Sequence, residues 1–157
     1  KCYIHSAGLS AHVVLKDPQD QVVRSRVEAL LNSWVENESY GCEQIFDKAQ
    51  MEALHLNGPF DYVIEGRLGT SFGNNCTGAL ICPTDNSDYK LSVSAHGHLP
   101  DKGPQPIFFA AGPDIREGVV VERGDLIDEA PTYAAILGVE MPWAQGKAMK
   151  EILRQDS

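Results

Sequence analysis

The sequence predicts a mixed α/β protein, and two observations lead to that prediction. Residues 10–65 alternate between strand and helix patterns in the order β-α-β-α-β, which describes a compact α+β unit. Residues 107–111 form a continuous apolar run of the kind found in strands that are buried on both faces. A chain of 157 residues buries roughly 70% of its unfolded surface, enough for one domain with a small subdomain.

The first strand and helix of the unit have the clearest patterns. Residues 10–15, Ser-Ala-His-Val-Val-Leu, have the composition of a short strand. We expect a helix to follow, with Asp17 as its N-cap and Pro18 in its first position, and to end near Val35. Its apolar residues recur at three- and four-residue steps, which indicates one face packed on a core: Val22, Val23, Val27, Leu30, Leu31, Trp34 and Val35.

The remaining elements of the unit are shorter. Residues 42–47 predict a strand, residues 49–54 a short helix, and residues 60–65 another strand after the turn at residues 57–59. Residues 67–93 are rich in Gly, Asn, Thr and Ser, so we expect loops there with at most one short strand.

The second half of the chain predicts one strand and two helices. The apolar run 107–111 is the expected strand, and residues 147–153 are the expected terminal helix. Residues 124–138 predict a helix that has acids near its start and stops at Gly138. Pro131 interrupts its pattern, so either the helix begins near Pro131 or residues 128–130 form a separate turn.

Charge and cysteine content exclude several classes of function. The net charge of −9 argues against binding of nucleic-acid polymers, because nothing offsets phosphate repulsion. No apolar run approaches the length of a membrane span, so no membrane partner is expected. The four cysteines have no C-x-x-C spacing, and we expect free, mostly buried thiols.

The histidines are the strongest candidates for chemistry, because the chain has no nucleophile elbow, P-loop, H-E-x-x-H or dinucleotide motif. His96 and His98 flank Gly97 at the end of an expected strand, where a metal site, a base and a structural loop all remain open. His12 is expected to be structural, and His55 to lie at a helix end or on the surface. A cysteine paired with His96 as a nucleophile is disfavoured.

Four motifs occur in order along the second half of the chain: residues 96–100 (H-G-H-L-P), 106–113 (P-I-F-F-A-A-G-P), 127–132 (I-D-E-A-P-T) and 136–139 (I-L-G-V). The series resembles the C-terminal end of the alkaline phosphatase superfamily, most closely its type I phosphodiesterase/nucleotide pyrophosphatase branch. In that branch an H-G-x-x-P-like loop leads to a strand ending in G-P, and a D-x-A-P-T helix runs into L-G-(I/V)-x-x-P. The resemblance covers about residues 94–153.

The resemblance implies an α/β fold, the C-terminal part of an alkaline-phosphatase-like sheet with a small α+β subdomain. It divides the chain into the subdomain at residues 1–66, a loop-rich connection at residues 67–93 and part of the metal-hydrolase core at residues 94–157. By motif position His96 is a ligand of one of two active-site metals, usually zinc. The resemblance assigns no role to His98, and the roles of His5 and His12 stay open as well.

The chain lacks most of the family's catalytic residues. No early Thr or Ser nucleophile, Asp-x-x-x-His pair or Asp-His-Gly motif is present. We therefore expect the C-terminal fragment of a two-metal enzyme that hydrolyses small phosphate esters, inactive without the N-terminal part of the same protein. The alternatives are a binding or interaction domain without the metal site, and a self-contained hydrolase that uses Cys or Ser. Substrate, metal identity, oligomeric state and cellular location stay open.

Overall fold

The computed structural model describes residues 1–75, 77–85, 87 and 94–154. Contacts divide the chain into two units, Lys1–Gln105 and Pro106–Ser157. We call them the sheet unit and the C-terminal unit and describe each by itself. The division falls after Gln105, so residues 94–105, which we expected to begin the second part of the chain, are grouped with the sheet unit.

The sheet unit is built on four antiparallel strands in the spatial order β1-β2-β4-β3. They are β1 (Cys2–Ser6), β2 (Ser10–Leu15), β3 (Cys42–Phe46) and β4 (Tyr62–Gly66). Strands β2, β3 and β4 confirm the sequence prediction, whereas β1 was not predicted. It pairs with β2 through a tight turn at residues 7–9, in which the Ala7 amide donates to the Ser10 carbonyl (2.9 Å).

Two helices complete this unit, α1 (Gln21–Glu36) and α2 (Lys48–Ala53). The predicted start of α1 is wrong, because Asp20 rather than Asp17 is its N-cap. The Asp20 carboxylate accepts from the Val23 amide (3.0 Å), whereas the Asp17 carboxylate accepts from the Gln19 amide in the preceding turn. The helix therefore begins at Gln21, and its cap accepts a hydrogen bond from a backbone N–H in the first turn.

The two faces of the sheet carry different apolar clusters. One face packs against α1 and combines strand residues with two helix residues: Ala11, Val13, Leu15, Cys42, Tyr62, Ile64, Val27 and Leu31. The opposite face carries Phe46 and Val63, which pack with Met51 of α2 and with Leu99. Because side chains alternate along β4, Glu65 lies on the same face as Val63.

Tyr62 links the sheet to α1 through polar contacts. Its hydroxyl donates to Glu28 Oε1 (2.6 Å) and accepts from Arg24 Nη1 (2.8 Å). Arg24 also pairs with Asp61 (3.3 Å). Burial, together with the hydrogen bond to Glu28, raises the pKa of Tyr62 to about 12.

The C-terminal unit is organised around a short helix, α3 (Glu129–Ile136), preceded by a 3-10 turn at Leu126–Asp128. Pro131 lies in the first turn of α3, where no helical N–H bond is needed, which resolves its position in the pattern. Gly138 follows the helix with φ of +65°, as expected of a helix stop. The buried Thr132 hydroxyl donates to the Asp128 carbonyl (2.6 Å) and accepts from the Met149 amide (2.9 Å).

Two predictions for the C-terminal unit are wrong. Residues 107–111 form no strand and are exposed, with Ile107 at 77% and Phe109 at 86%. The described part of this unit contains no strand that could pair with the run, and a buried strand needs neighbours on both sides. The predicted terminal helix is reduced to a 3-10 turn at Lys150–Ile152, followed by an isolated bridge between Ile115 and Leu153.

Cysteine exposure only partly agrees with the sequence prediction. Cys2, Cys42 and Cys82 are free thiols, as expected. Only Cys42 is buried, since Cys2 lies on the edge strand β1 and Cys82 in a loop. Cys76 falls outside the described residues, as do residues 88–93 of the expected loop-rich connection.

No helix in the described parts of the chain has the length and the apolar composition needed to cross a membrane.

Truncation of Leu31 tests the core between α1 and the sheet. Leu31 is 1% exposed, so Leu31→Ala should lower the free energy of unfolding by about 2–5 kcal/mol through lost burial and the cavity left behind. Leu30→Ala is the matched control, because Leu30 on the same helix is 49% exposed. Urea unfolding measures both, and equal losses would contradict the observed helix face.

The raised pKa of Tyr62 predicts a stability change at high pH. The folded protein keeps this phenol protonated up to about pH 12, whereas an unfolded tyrosine ionises near pH 10. The stabilisation is present below about pH 10 and is lost as pH rises to about 12, at about 1.4 kcal/mol for each pH unit.

Urea unfolding from pH 8 to 12 should therefore show wild type losing stability relative to Tyr62→Phe. In Glu28→Gln the loss should end at lower pH and be smaller, because the Tyr62 hydroxyl no longer donates to a carboxylate and its pKa in the folded protein rises less. A constant difference between wild type and Tyr62→Phe across this range would contradict the assignment.

Candidate functional site

The loop at residues 96–102, which contains both histidines of the H-G-H motif, packs against the β1–β2 turn. The Leu9 amide donates to the His96 carbonyl (2.9 Å). A Cβ at Gly97 would lie 2.5 Å from the Ala7 carbonyl oxygen, and a Cβ at Gly8 would lie 2.5 Å from that of His96. Gly97 also has φ of +117°, a backbone angle that residues other than glycine rarely adopt. The two glycines thus let two backbone segments touch.

Glu65 is the polar centre beneath this loop. It lies in β4, which is buried along its whole length, and is 3% exposed. Its Oε1 accepts from the Leu99 amide (3.1 Å) and lies 3.3 Å from His98 Nδ1 and 3.5 Å from Lys102 Nζ. All three of these groups belong to the 96–102 loop. A buried carboxylate is costly unless it is paired, and here the loop supplies the partners.

Lys102 ties the loop to two strands. Its Nζ donates to the Gly66 carbonyl (2.6 Å) and forms an ion pair with Glu43 of β3. The hydrogen bond from Lys102 holds the pKa of the Glu43 carboxyl below its usual range. Lys102 therefore bridges the exposed Glu43 and the buried Glu65.

Beside these residues the surface forms an open depression of about 600 Å³. It is lined by Glu43, Gln44, Glu65, Arg67, Leu68, Leu99, Asp101 and Lys102. With three carboxylates against two cations, the lining gives no excess of positive charge for an anion. The feature that most resembles a functional arrangement is the pairing of Glu65 with His98, because a carboxylate at Nδ1 fixes the orientation of an imidazole.

His96, the predicted metal ligand, is exposed and lies where the loop contacts the β1–β2 turn. Within the described part of the chain, no group of three or more His, Cys, Asp and Glu side chains is arranged to hold a metal ion. A catalytic zinc takes three protein ligands, and the described residues do not bring three such side chains together. The assignment of His96 stays a prediction.

The other histidines have different neighbours. His5 and His12 face each other across β1 and β2, and the His12 ring stacks on Phe60 with centroids 4.2 Å apart. Burial, and then the charge of His5, lowers the pKa of His12. This pair offers two nitrogen donors, one fewer than a catalytic zinc site uses. His55 is exposed just after α2, with φ of +57°.

Sequence reasoning identified the loop but missed Glu65, Glu43 and Lys102. The available signal was a carboxylate in the buried strand 60–65, which demands a donor, and a lysine shortly after the H-G-H motif. Their pairing spans 37 positions of sequence, from Glu65 to Lys102, and nothing local indicates it. The structure shows that Gly97 allows the close approach of the Ala7 carbonyl.

Substitution of Gly97 tests the backbone contact. Gly97→Ala should release the loop, because the new methyl meets the Ala7 carbonyl and the positive φ alone costs about 1–3 kcal/mol. Hydrogen exchange at the Leu9 amide, which donates to the His96 carbonyl, should accelerate.

Gly103→Ala is the control for backbone strain without a clash. Gly103 has φ of +94°, and no heavy atom lies within 4 Å of its added Cβ. We expect Leu9 to keep its protection in this variant. Equal protection of Leu9 in both variants would show that the close contact at Gly97 does not hold the loop.

Comparisons with protein-family models, with curated proteins and with solved structures found no match in any of the three. The functional interpretation of this chain therefore rests on its motifs and on the geometry around Glu65.

Proposed function

We propose that the chain is the C-terminal part of a metal-dependent phosphodiesterase or phosphatase of the nucleotide pyrophosphatase type, in which His96 ligates one of two zinc ions. The observation that carries the proposal is the exposed imidazole of His96 on a loop with a fixed backbone. The motif series from residue 96 to residue 139 supports the choice of chemistry, since the corresponding H-G-x-x-P-like loop of the family that it resembles carries a zinc ligand at this position.

In this proposal the chain contributes binding and orientation. Two bound metal ions supply charge stabilisation for the attacking and leaving oxygens of phosphoryl transfer. His96 offers a neutral ring nitrogen to one of them, and the docked loop fixes where that nitrogen lies. The nucleophile and the remaining ligands belong to the N-terminal part of the same protein, and the substrate is a small phosphate ester.

The exposed apolar run supports the idea that another part of the protein is needed. Ile107 and Phe109 are 77% and 86% exposed, and contiguous apolar surface of this kind usually marks a contact. In the proposed parent enzyme, residues 107–111 belong to an alkaline-phosphatase-like sheet that the N-terminal part completes.

One observation favours the alternative of a binding or interaction domain. The described residues bring together no three metal-ligating side chains, as expected if the metal site had been lost. The third hypothesis, a self-contained hydrolase that uses Cys or Ser, receives no support from Cys42. Burial raises the pKa of this thiol, and a neutral buried thiol is a poor nucleophile.

Replacement of His96 tests the proposed function in the longer protein. His96→Ala should lower zinc content and reduce hydrolysis of a bis-aryl phosphodiester by more than about 100-fold, because loss of an outer partner alone costs 10–100-fold. Zinc is measured by elemental analysis and hydrolysis by product absorbance. His55→Ala, which removes an exposed histidine after α2, is the control.

Unchanged zinc stoichiometry and rate in His96→Ala would overturn the proposal and leave the binding-domain alternative. Ester hydrolysis by the 157-residue chain alone, in the presence of a chelator, would instead support the self-contained hydrolase.

A further inference from the structure

We propose that Glu65 is a positioning residue for His96, a buried carboxylate that holds the 96–102 loop on the sheet. The anchoring follows from contacts within the sheet unit, whereas its importance for zinc binding rests on the function proposed above. No motif assigns Glu65 a role, and it lies 31 positions before His96 in the sequence.

Within the described part of the chain, the polar contacts of the Glu65 side chain go to the loop. One carboxylate oxygen accepts from the Leu99 backbone amide (3.1 Å), and the same oxygen lies within 3.5 Å of His98 Nδ1 and Lys102 Nζ. These groups come from three positions of one short segment, while the acceptor belongs to the rigid centre of the sheet. A single side chain therefore fixes the loop at several points.

His96 lies next to two anchored parts of the loop. Its own carbonyl accepts from the Leu9 amide, and the following Gly97 packs against the Ala7 carbonyl. Two residues after Gly97, Leu99 is bonded to Glu65 and packs into the cluster of Phe46, Met51 and Val63. Because the backbone from His96 to Leu99 is held at these points, the backbone of His96 has a defined place, and ligand geometry must be held within about 0.5 Å for a metal site.

The chemistry of the anchor requires an acceptor at residue 65, and a charged acceptor serves best. Hydrogen bonds to a carboxylate are roughly twice as strong as neutral ones, and Lys102 needs a counter-charge. Glutamine keeps an oxygen for the Leu99 amide and loses the charge. Leucine keeps the volume and leaves the Leu99 amide without its acceptor. The loop should therefore be held best by Glu, less well by Gln and least by Leu.

Hydrogen exchange on the 157-residue chain tests the anchoring, with the Leu99 and Leu9 amides as probes. We expect exchange at Leu99 to accelerate about threefold in Glu65→Gln and at least tenfold in Glu65→Leu, with Leu9 following because the loop moves as one piece. The Ile64 amide reports whether the sheet is intact. Glu38→Gln, which breaks the exposed pair of Glu38 with Arg67, is the control and should change neither probe.

Unchanged exchange at Leu99 and Leu9 in Glu65→Leu would overturn the anchoring. If Glu65→Leu does not fold, the comparison of wild type with Glu65→Gln decides, and the absence of acceleration at Leu99 counts against the proposal.

Zinc titration of the longer protein tests the consequence for His96. A positioning residue acts through the ligand, so Glu65→Gln should weaken zinc binding about 10-fold and Glu65→Leu up to about 100-fold. Excess zinc should restore the rate of hydrolysis in both, but not in His96→Ala. If His96→Ala loses zinc while Glu65→Leu binds it normally, the positioning role fails and the proposed function stands. If His96→Ala keeps its zinc, the proposed function fails, and the exchange experiment still decides whether Glu65 anchors the loop.

Discussion

The burial of one carboxylate is the constraint on which the candidate site depends. Glu65 faces the side of the sheet that also carries Val63 and Phe46, so its charge is removed from water and needs donors close by. The donors described here come from a segment that follows some thirty residues later in the chain. The contacts between Glu65 and this segment bring Leu99 onto the apolar cluster and Lys102 next to β3 and β4. The 96–102 loop is therefore held on the sheet by the polar contacts of Glu65.

Much of the sheet unit was predictable because its signals are local. The apolar spacing along α1 and the strand patterns at β2, β3 and β4 predict these elements, and the structure confirms each of them. Within the apolar pattern of α1, however, Val22 and Leu30 are 65% and 49% exposed and do not belong to the buried face. Strand β1 escaped prediction because it is an edge strand whose residues are mostly exposed, so no alternation of apolar and polar residues marks it. The start of α1 was misplaced because Asp17 and Asp20 are equally good caps in sequence, and only the fold selects between them.

For the C-terminal unit and the candidate site, local sequence patterns did not suffice to predict the structure. The composition of residues 107–111 predicts a buried strand, yet burial depends on partners that the described part of this unit does not contain. The partners of Glu65 could not be predicted either, since a carboxylate in a buried strand requires hydrogen-bond donors but the local sequence does not identify them. The short motif at residues 96–98 did locate the loop correctly, because glycine between two histidines marks a backbone conformation that other residues rarely adopt.

The two histidines of that motif have different surroundings, although the sequence pattern alone does not distinguish them. His98 is largely buried and has a carboxylate at Nδ1, so its ring is committed to the interface between loop and sheet. His96 is exposed, and it is held through its backbone carbonyl instead of its ring. Gly97 makes this division possible, because its positive φ turns the chain against the Ala7 carbonyl between the two side chains. An imidazole held by its backbone leaves its ring nitrogens for another partner, and for this reason we propose His96, and not the better-buried His98, as the residue that meets a ligand from outside the loop.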